Sequence, residues 1–562
     1  MFKYRLVGDN DYTFDIQGTL FKNRGINDID AFLSLSKDVT HDYRLLKNID
    51  KAVECLERHL ELKSNILIIV DPDTDGYTSA AIMYQYIKLI DNNAKLEYAL
   101  HNDKKHGFDN ISIPDNIDLV IVPDSGSNDF KHHKSLKEKG IDIIILDHHE
   151  IDYESHDAIV VNTLLGDYPN HQLSGAGVVY KFCQALDELY WSDYADRFLD
   201  LVALGNIADS MSMMELETRY YVQQGLRNIK NVFFKTLVNK QEYSTKGKMN
   251  TTNVNFYISP LINAVIRVGE MSDKEDMFKS FIGMNYLVDY TPRGKDKDTI
   301  QVPLTEDMAR RCANIKAKQG RMVEKVVNEV EKLIVNDQLN NNKVIFIHQI
   351  KNVDGGLTGL IANKIADSYK KPTILLSHCD DKGYFKGSAR GYDKSKLKDF
   401  KEVVLQSDLF EWAKGHANAY GLCINKEKLT EVNTKLNESL ESYTFEDEYE
   451  VDFEIPGRSL NKDIIFEISE LVDVWGKGVE EPYILIKDIQ TSDCDVLLQG
   501  KNEDTITIYL DDIKLIKFKS SKKFYEEIIN SKTIDVLGRA NINEYNDNQY
   551  PQVNIEAINI YK

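Results

Sequence analysis

At 562 residues and a formal net charge of −21, the chain is too long for one hydrophobic core, so three or more domains are expected, and its acidic balance argues against indiscriminate nucleic-acid binding. No uninterrupted apolar stretch is long enough to span a bilayer, and the opening Met-Phe-Lys-Tyr-Arg lacks the apolar centre of a secretory signal. The six cysteines form no Cys-x-x-Cys pair, so reduced thiols in a cytoplasmic compartment, and no zinc knuckle, are expected.

From about Leu62 to Ala208 the pattern alternates strand and helix. Apolar runs at 65–70, 117–122 and 141–146 are rich in Ile and Val and predict buried parallel strands. Helices are predicted from near Thr78, over 131–139, over 177–189 and over 194–204. The series reads as βαβ units around a mostly parallel sheet. One long helix is predicted over 306–335 despite Gly320, and a second α/β unit starts at 343–348, with a helix over 358–369 and a strand over 373–377. From about Tyr449 short alternating strands predict a small all-β barrel or sandwich. The expected domains are a catalytic α/β domain over 1–300, a connecting helix over 301–338, a second α/β domain over 339–445 and an all-β domain over 446–562.

Acids and imidazoles follow the predicted strands: Asp71-Pro-Asp73-Thr-Asp75-Gly76, then Asp124, then Asp147-His148-His149, with Asp209 closing a helix. The first segment begins like a calcium loop but lacks the later acidic positions of that motif. In open α/β sheets ligands bind at the carboxyl ends of strands, and carboxylate oxygens with one or two imidazoles suit Mn²⁺ or Mg²⁺. Two such ions can activate a water and stabilise both apical oxygens of a phosphoryl displacement.

These segments resemble the motifs of the DHH phosphoesterase superfamily, and within it the RecJ-type single-strand exonucleases, nearly from end to end. Ser174-Gly-Ala-Gly177 resembles the family's glycine segment, and Leu261-Ile-Asn263-Ala-Val-Ile-Arg267 its Arg-Leu-Asn-Ala-Ala-Gly-Arg segment, with Leu261 and Ile266 as departures. The resemblance implies that Asp73 and Asp75 each hold one metal, that Asp124 bridges both, and that His148 and Asp209 complete the second, with Asp71 contributing to the first. It also implies that His149 faces the scissile phosphate and that Asn263 and Arg267 contact substrate. Gly355-Gly356, Gly387-Ser388-Ala389-Arg390 and Gly415-His416-Ala417 resemble the DHH-associated domain, with Lys414 where the family has glycine. Gly355, Gly356, Ser388, Arg390 and His416 are then substrate contacts. The last segment resembles the RecJ OB-fold, in which Lys514, Lys517, Lys519, Lys522 and Lys523, with Tyr509, Phe518 and Phe524, would grip a single strand.

The expected activity is a two-metal exonuclease on single-stranded DNA, 5′ to 3′ by resemblance, releasing 5′-mononucleotides. The alternatives are hydrolysis of short oligonucleotides or cyclic dinucleotides and a non-catalytic replisome scaffold; an inorganic pyrophosphatase ranks last. The expected partners are single-stranded DNA, or RNA, and a single-strand-binding protein or helicase; a monomer with no membrane association is expected. His132-His133 reads as an exposed helix, and Tyr190-Trp191 and Trp412 as packing residues.

Overall fold

The computed structural model describes residues 2–102, 105–292, 294, 298–348, 350, 353–379, 382–545 and 548–562. The chain divides into two units. One comprises 31–320 with 475–479, and the other comprises 1–30, 321–474 and 480–562.

The first unit is built on five parallel strands: β1 (Asn65–Val70), β2 (Lys95–Leu100), β3 (Leu119–Pro123), β4 (Asp142–Asp147) and β5 (Ile159–Asn162). Their spatial order is β2-β1-β3-β4-β5, so the winding reverses between β1 and β3, where doubly wound sheets open a ligand crevice. β1 is buried on both faces from Ile66 to Val70, and Leu67, Ile69, Val120, Val122, Ile143 and Ile145 share one core cluster. Each such side chain contributes about 1.5–3 kcal/mol on burial, which fixes the strand ends that carry the acids.

The helix predicted from near Thr78 begins a turn earlier, as α1 (Thr74–Ile90). Asp73 is its N-cap, accepting from Gly76 N at 2.9 Å, and Asp75 lies in the first turn, where negative charge suits the helix dipole. Further along, α2 (Phe130–Glu138), α3 (Gly175–Tyr190) and α4 (Leu199–Ala208) agree with the predicted helices to within a few residues, except that 195–198 is a 3₁₀ turn. α5 (Ser259–Val268) is preceded by a π-helical turn at Val254–Ile258. Two readings are corrected. His133 is fully buried in α2, with its ring nitrogens 3.0 Å from Gly126 O and Ser155 Oγ. Trp191 is 96% exposed, because it ends α3 in the left-handed conformation and leaves the helix face.

α6 (Leu304–Asn336) is the predicted long helix, unbroken at Gly320. In the other unit β6 (Ile345–Ile347), α7 (Thr358–Tyr369), β7 (Thr373–Cys379), β8 (Tyr384–Arg390), β9 (Phe410–His416) and β10 (Ala419–Asn425) build a sheet of order β9-β10-β8-β7-β6. Ala389, Tyr420, Leu422 and Ile424 face its core together with Phe400, Val404, Val432 and Leu436.

The remainder of this unit is a seven-stranded mixed sheet between Phe453 and Tyr561, with short helices at Lys462–Ser469 and Lys522–Ile529. The lysine run is therefore not one strand. Lys514 and Lys517 lie on Ile513–Lys517, Lys519 is left-handed, and Lys522 and Lys523 open a helix. The first residues of the chain do not join the sheet at 65–162, as a 1–300 domain would have them do. Lys3–Leu6 pairs in parallel with Glu448–Val451, within the same unit.

Candidate metal centre and anion cradle

The loops after β1, β3 and β4 bring the predicted acids together at the switch point. Asp71, Asp75, Asp124 and Asp147 are buried. Ligand atoms of Asp71, Asp73 and Asp124 lie within 4.8 Å of one another, as do those of Asp75, His148 and Asp209, and those of Asp124, Asp147, His148 and His149. Asp124 belongs to two of these groups. Its backbone is left-handed at φ 68°, an unusual conformation for a non-glycine residue, and its N–H donates to Leu146 O at 2.8 Å. Among the described residues neither of its buried carboxylate oxygens has a hydrogen bond of acceptable geometry. His148 Nε2 lies 3.2 Å from Asp124 Oδ1, and the same nitrogen lies 3.4 Å from Asp209.

A bare buried carboxylate costs free energy unless a cation compensates it. Burial, reinforced by the charges of Asp75, Asp73 and Asp71, pushes the Asp124 carboxyl well above its ordinary range. Asp209 is pushed up to about 8 by burial and by the charges of Asp75 and Asp73. Asp73 and Asp75 rise for the same first reason, burial. Four buried acids, each held above its ordinary range, describe a site shaped for divalent cations, and the donor set of oxygens with one imidazole fits Mn²⁺ or Mg²⁺.

The other acids are held in place by hydrogen bonds. Asp75 accepts from Ser174 Oγ at 2.9 Å, Gly175 N at 2.6 Å and Ala176 N at 3.2 Å, so the N-terminus of α3 orients it. Asp147 accepts from the amides of Ser127, His148 and His149 and from His149 Nδ1 at 2.8 Å. Burial works against that carboxylate, but the His149 hydrogen bond and the two imidazole charges hold it well below the usual range. His149 is thereby anchored through Nδ1 while its ring stays half exposed. Asn263, on α5, accepts from Thr74 Oγ1 at 3.1 Å. Arg267 is half-buried on the same helix, has no ion pair among the described residues, and feels the charge of Asp73.

Two further contributors complete the site. His106 sits 2.5 Å from Asp71 Oδ2, and Gly107 N donates to Asp71 Oδ1 at 3.0 Å; nothing around 106 marks a motif. The second is steric. A Cβ at Gly175 would stand 2.5 Å from that of Asp124, and one at Gly205 would collide with Asp75 Oδ1. The glycines let helices α3 and α4 close on the acids.

In the other unit Ser388 and Arg390 converge on the N-terminus of α7. Ser388 Oγ is 2.8 Å from Thr358 Oγ1, and the Arg390 guanidinium packs so closely on Gly359 that a Cβ there would stand 2.5 Å from Nη2. Gly356 N is taken by the Asp354 side chain at 2.8 Å, and Gly355 has open space around it. His416 pairs with Ala419, which pairs with Arg390, so the imidazole and the guanidinium lie on one sheet face. Hydroxyls, a guanidinium and a helix N-terminus form a cradle of the kind that receives an anion.

Strand order and acid cluster define a doubly wound α/β protein with a metal-binding centre at its switch point. Comparison with known proteins agrees. The model of the DHH family N-terminal domain matches residues 65–206, and that of the RecJ OB domain matches 451–557. Over its full length the chain is 42% identical to a Bacillus subtilis (strain 168) protein whose name describes an SPbeta prophage-derived single-strand DNA-specific exonuclease, covering 98% of that relative. The single-stranded-DNA-specific exonuclease RecJ of the same bacterium is 25% identical over 91% of this chain and 63% of its own length. The crystal structure of RecJ in complex with Mn²⁺ from Thermus thermophilus superposes with a TM-score of 0.74 at 18% identity, over 99% of this chain and 79% of that one, so the two share a fold. The chain belongs to the DHH family, in its RecJ-type branch. No described helix is long and apolar enough to cross a membrane.

Proposed function

We propose that this chain is a two-metal-dependent exonuclease that degrades single-stranded DNA from the 5′ end and releases 5′-mononucleotides. The observation that carries the reading is Asp124. It is a buried carboxylate with no hydrogen bond among the described residues, and at the sheet's switch point it is grouped with Asp71 and Asp73 on one side and with His148 on the other.

In this reading Asp71 and Asp73 would hold one cation, Asp75, His148 and Asp209 would hold the other, and Asp124 would serve both. Two bound Mn²⁺ or Mg²⁺ ions supply an acidified water and compensate the charge of the phosphoryl group. The protein's own groups do the positioning. His106 and Gly107 N fix Asp71, and the N-terminus of α3 fixes Asp75. His149, tied through Nδ1 to Asp147, presents Nε2 to a phosphate oxygen as a fixed donor. Arg267 and Asn263 orient the same phosphate from α5. The cradle of Ser388, Arg390 and His416 takes a second phosphate of the strand, with the Gly355-Gly356 backbone beside it. The β-rich domain contributes Lys514 and the exposed Phe518 to a remote grip, whereas the Lys517 ammonium is engaged within the fold, donating to Glu556 O at 2.8 Å. Relatives named as single-strand DNA-specific exonucleases support the choice of substrate.

The test is single-stranded DNA and RNA, each labelled at one end or the other, incubated with Mn²⁺, Mg²⁺ or chelator, with products sized over time. Mononucleotides appearing at once from 5′-labelled DNA, and only with metal, are expected. Release from the 3′ end, internal fragments, or cleavage confined to very short or cyclic substrates would overturn the reading.

A further inference from the structure

One sheet face in the second unit carries more than the cradle needs. The pairing β8–β10–β9 sets Ser388 opposite Gly421 and Gly421 opposite Lys414, while Lys386, Cys423 and Trp412 form the next row. Residues aligned across a sheet, and those two apart along a strand, share a face. Lys386, Ser388 and Arg390 therefore point the same way as Trp412, Lys414 and His416. No position in these rows is a carboxylate, although the protein as a whole is strongly acidic. Lys414 is exposed and makes no ion pair among the described residues. Trp412 is only half-buried, and its Cζ3 lies 3.6 Å from where a Cβ on Gly421 would stand. The indole thus leans over the missing side chain of Gly421, beside the lysine and toward Ser388.

We propose that Trp412 and Lys414 extend the cradle into a second nucleotide subsite, in which the indole stacks on a base and the ammonium binds the phosphate next to the one held by Ser388 and Arg390. The occupant is a single strand of nucleic acid. The face is continuous with the anion cradle and complementary in charge to a phosphate chain, and an indole offers any base a platform without choosing its sequence. Strand spacing puts Ser388 and Lys414 about 10 Å apart, a gap that the flexible lysine stem narrows. A duplex, with its bases already stacked, offers the indole nothing, so the subsite favours single strands. Lys414 is also where this chain departs from the glycine of the family pattern, so the added charge is a property of this protein.

The inference rests on the proposed exonuclease reading, and the experiment separates the two. The full-length protein with Ca²⁺ is titrated with a 5′-phosphorylated oligothymidylate over a series of salt concentrations. Trp412→Leu should weaken binding roughly five- to a hundred-fold, and Trp412→Phe by less. Lys414→Gly and Lys414→Gln should each reduce the salt slope by about 0.7, the loss of one phosphate contact to a single strand. With a strand lacking one base near its 5′ end, wild type and Trp412→Leu should bind alike. A wild type that binds and hydrolyses single strands, with folded Trp412 and Lys414 variants of unchanged affinity and slope, would overturn the subsite alone. A wild type that neither binds nor hydrolyses them would overturn the exonuclease reading itself, and the subsite with it.

Discussion

The candidate metal centre and the anion cradle are built on opposite electrostatic terms. At the centre buried carboxylates crowd one another, and Asp124 has no hydrogen bond among the described residues; uncompensated by a cation, such crowding opposes folding. In the cradle the Ser388 and Thr358 hydroxyls bond each other and Arg390 donates to Ala389 O; an anion adds bonds to groups already held in place. The first site stores electrostatic cost in order to hold metal, and the second is pre-organised at little cost. Folding stability and activity should therefore trade against each other at the first site and move together at the second.

Asp124→Asn is the sharpest way to break that contrast. Hydrolysis should fall at least about 10³-fold, while thermal unfolding in chelator should occur at the same or a higher temperature, because a repelling charge is gone. A folded variant with near-normal turnover would refute the bridging role, and one that melts earlier without metal would refute the stored cost. Arg390→Ala should lower kcat/KM on 5′-phosphorylated strands by roughly 10–100-fold, mainly through KM, since one charge-assisted contact is lost. A pure kcat effect would place Arg390 at the chemistry instead. Gly175→Ala should destabilise by about 1–3 kcal/mol through overpacking against Asp124 and should weaken Mn²⁺ binding measured by calorimetry; unchanged metal affinity would show that the close approach is incidental.

A pH-dependent effect concerns His133, beneath the loop that carries Asp124. Burial lowers its pKa from 6.5 to about 4. The unfolded chain therefore takes up this proton first as pH falls. The ring's contribution is complete above pH 6.5 and is lost between 6.5 and about 4, amounting to about 3 kcal/mol. Replacing it by His133→Gln should remove that share of the pH dependence of unfolding, and parallel stability–pH curves for the two proteins would contradict the assignment.

The catalytic sheet was legible because strands buried on both faces spell unbroken runs of Ile and Val, and the acids stand where those runs stop. The clustering of Asp71, Asp75, Asp124 and His148 follows from that grammar. Other features have no local signature. His106 reaches Asp71 from a loop that carries no pattern, and the duty of Gly205 is set by Asp75, far away in sequence. The start of α1 was misplaced because Asp73 serves as cap as well as candidate ligand. Trp191 looked like a packing residue because its exposure depends on a left-handed turn at the end of α3. Pairing of Lys3–Leu6 with Glu448–Val451 crosses most of the chain, beyond the reach of any periodicity.

That last pairing has a temporal side. During synthesis this strand must wait for its neighbour, and at roughly 5–20 residues per second the delay is on the order of 20 to 90 seconds. Well before it ends, the segment that builds the five-stranded parallel sheet has left the ribosome and can fold, while the strand at Lys3–Leu6 is still an unpaired edge. Its lysine and arginine, Lys3 and Arg5, are half of the ion pairs later made with Glu446 and Glu450, and until then they are the charges that discourage a wrong strand from docking there. Completion of the second unit is thus a late event that draws the beginning of the chain to its end, as a clasp closes after the bracelet is made.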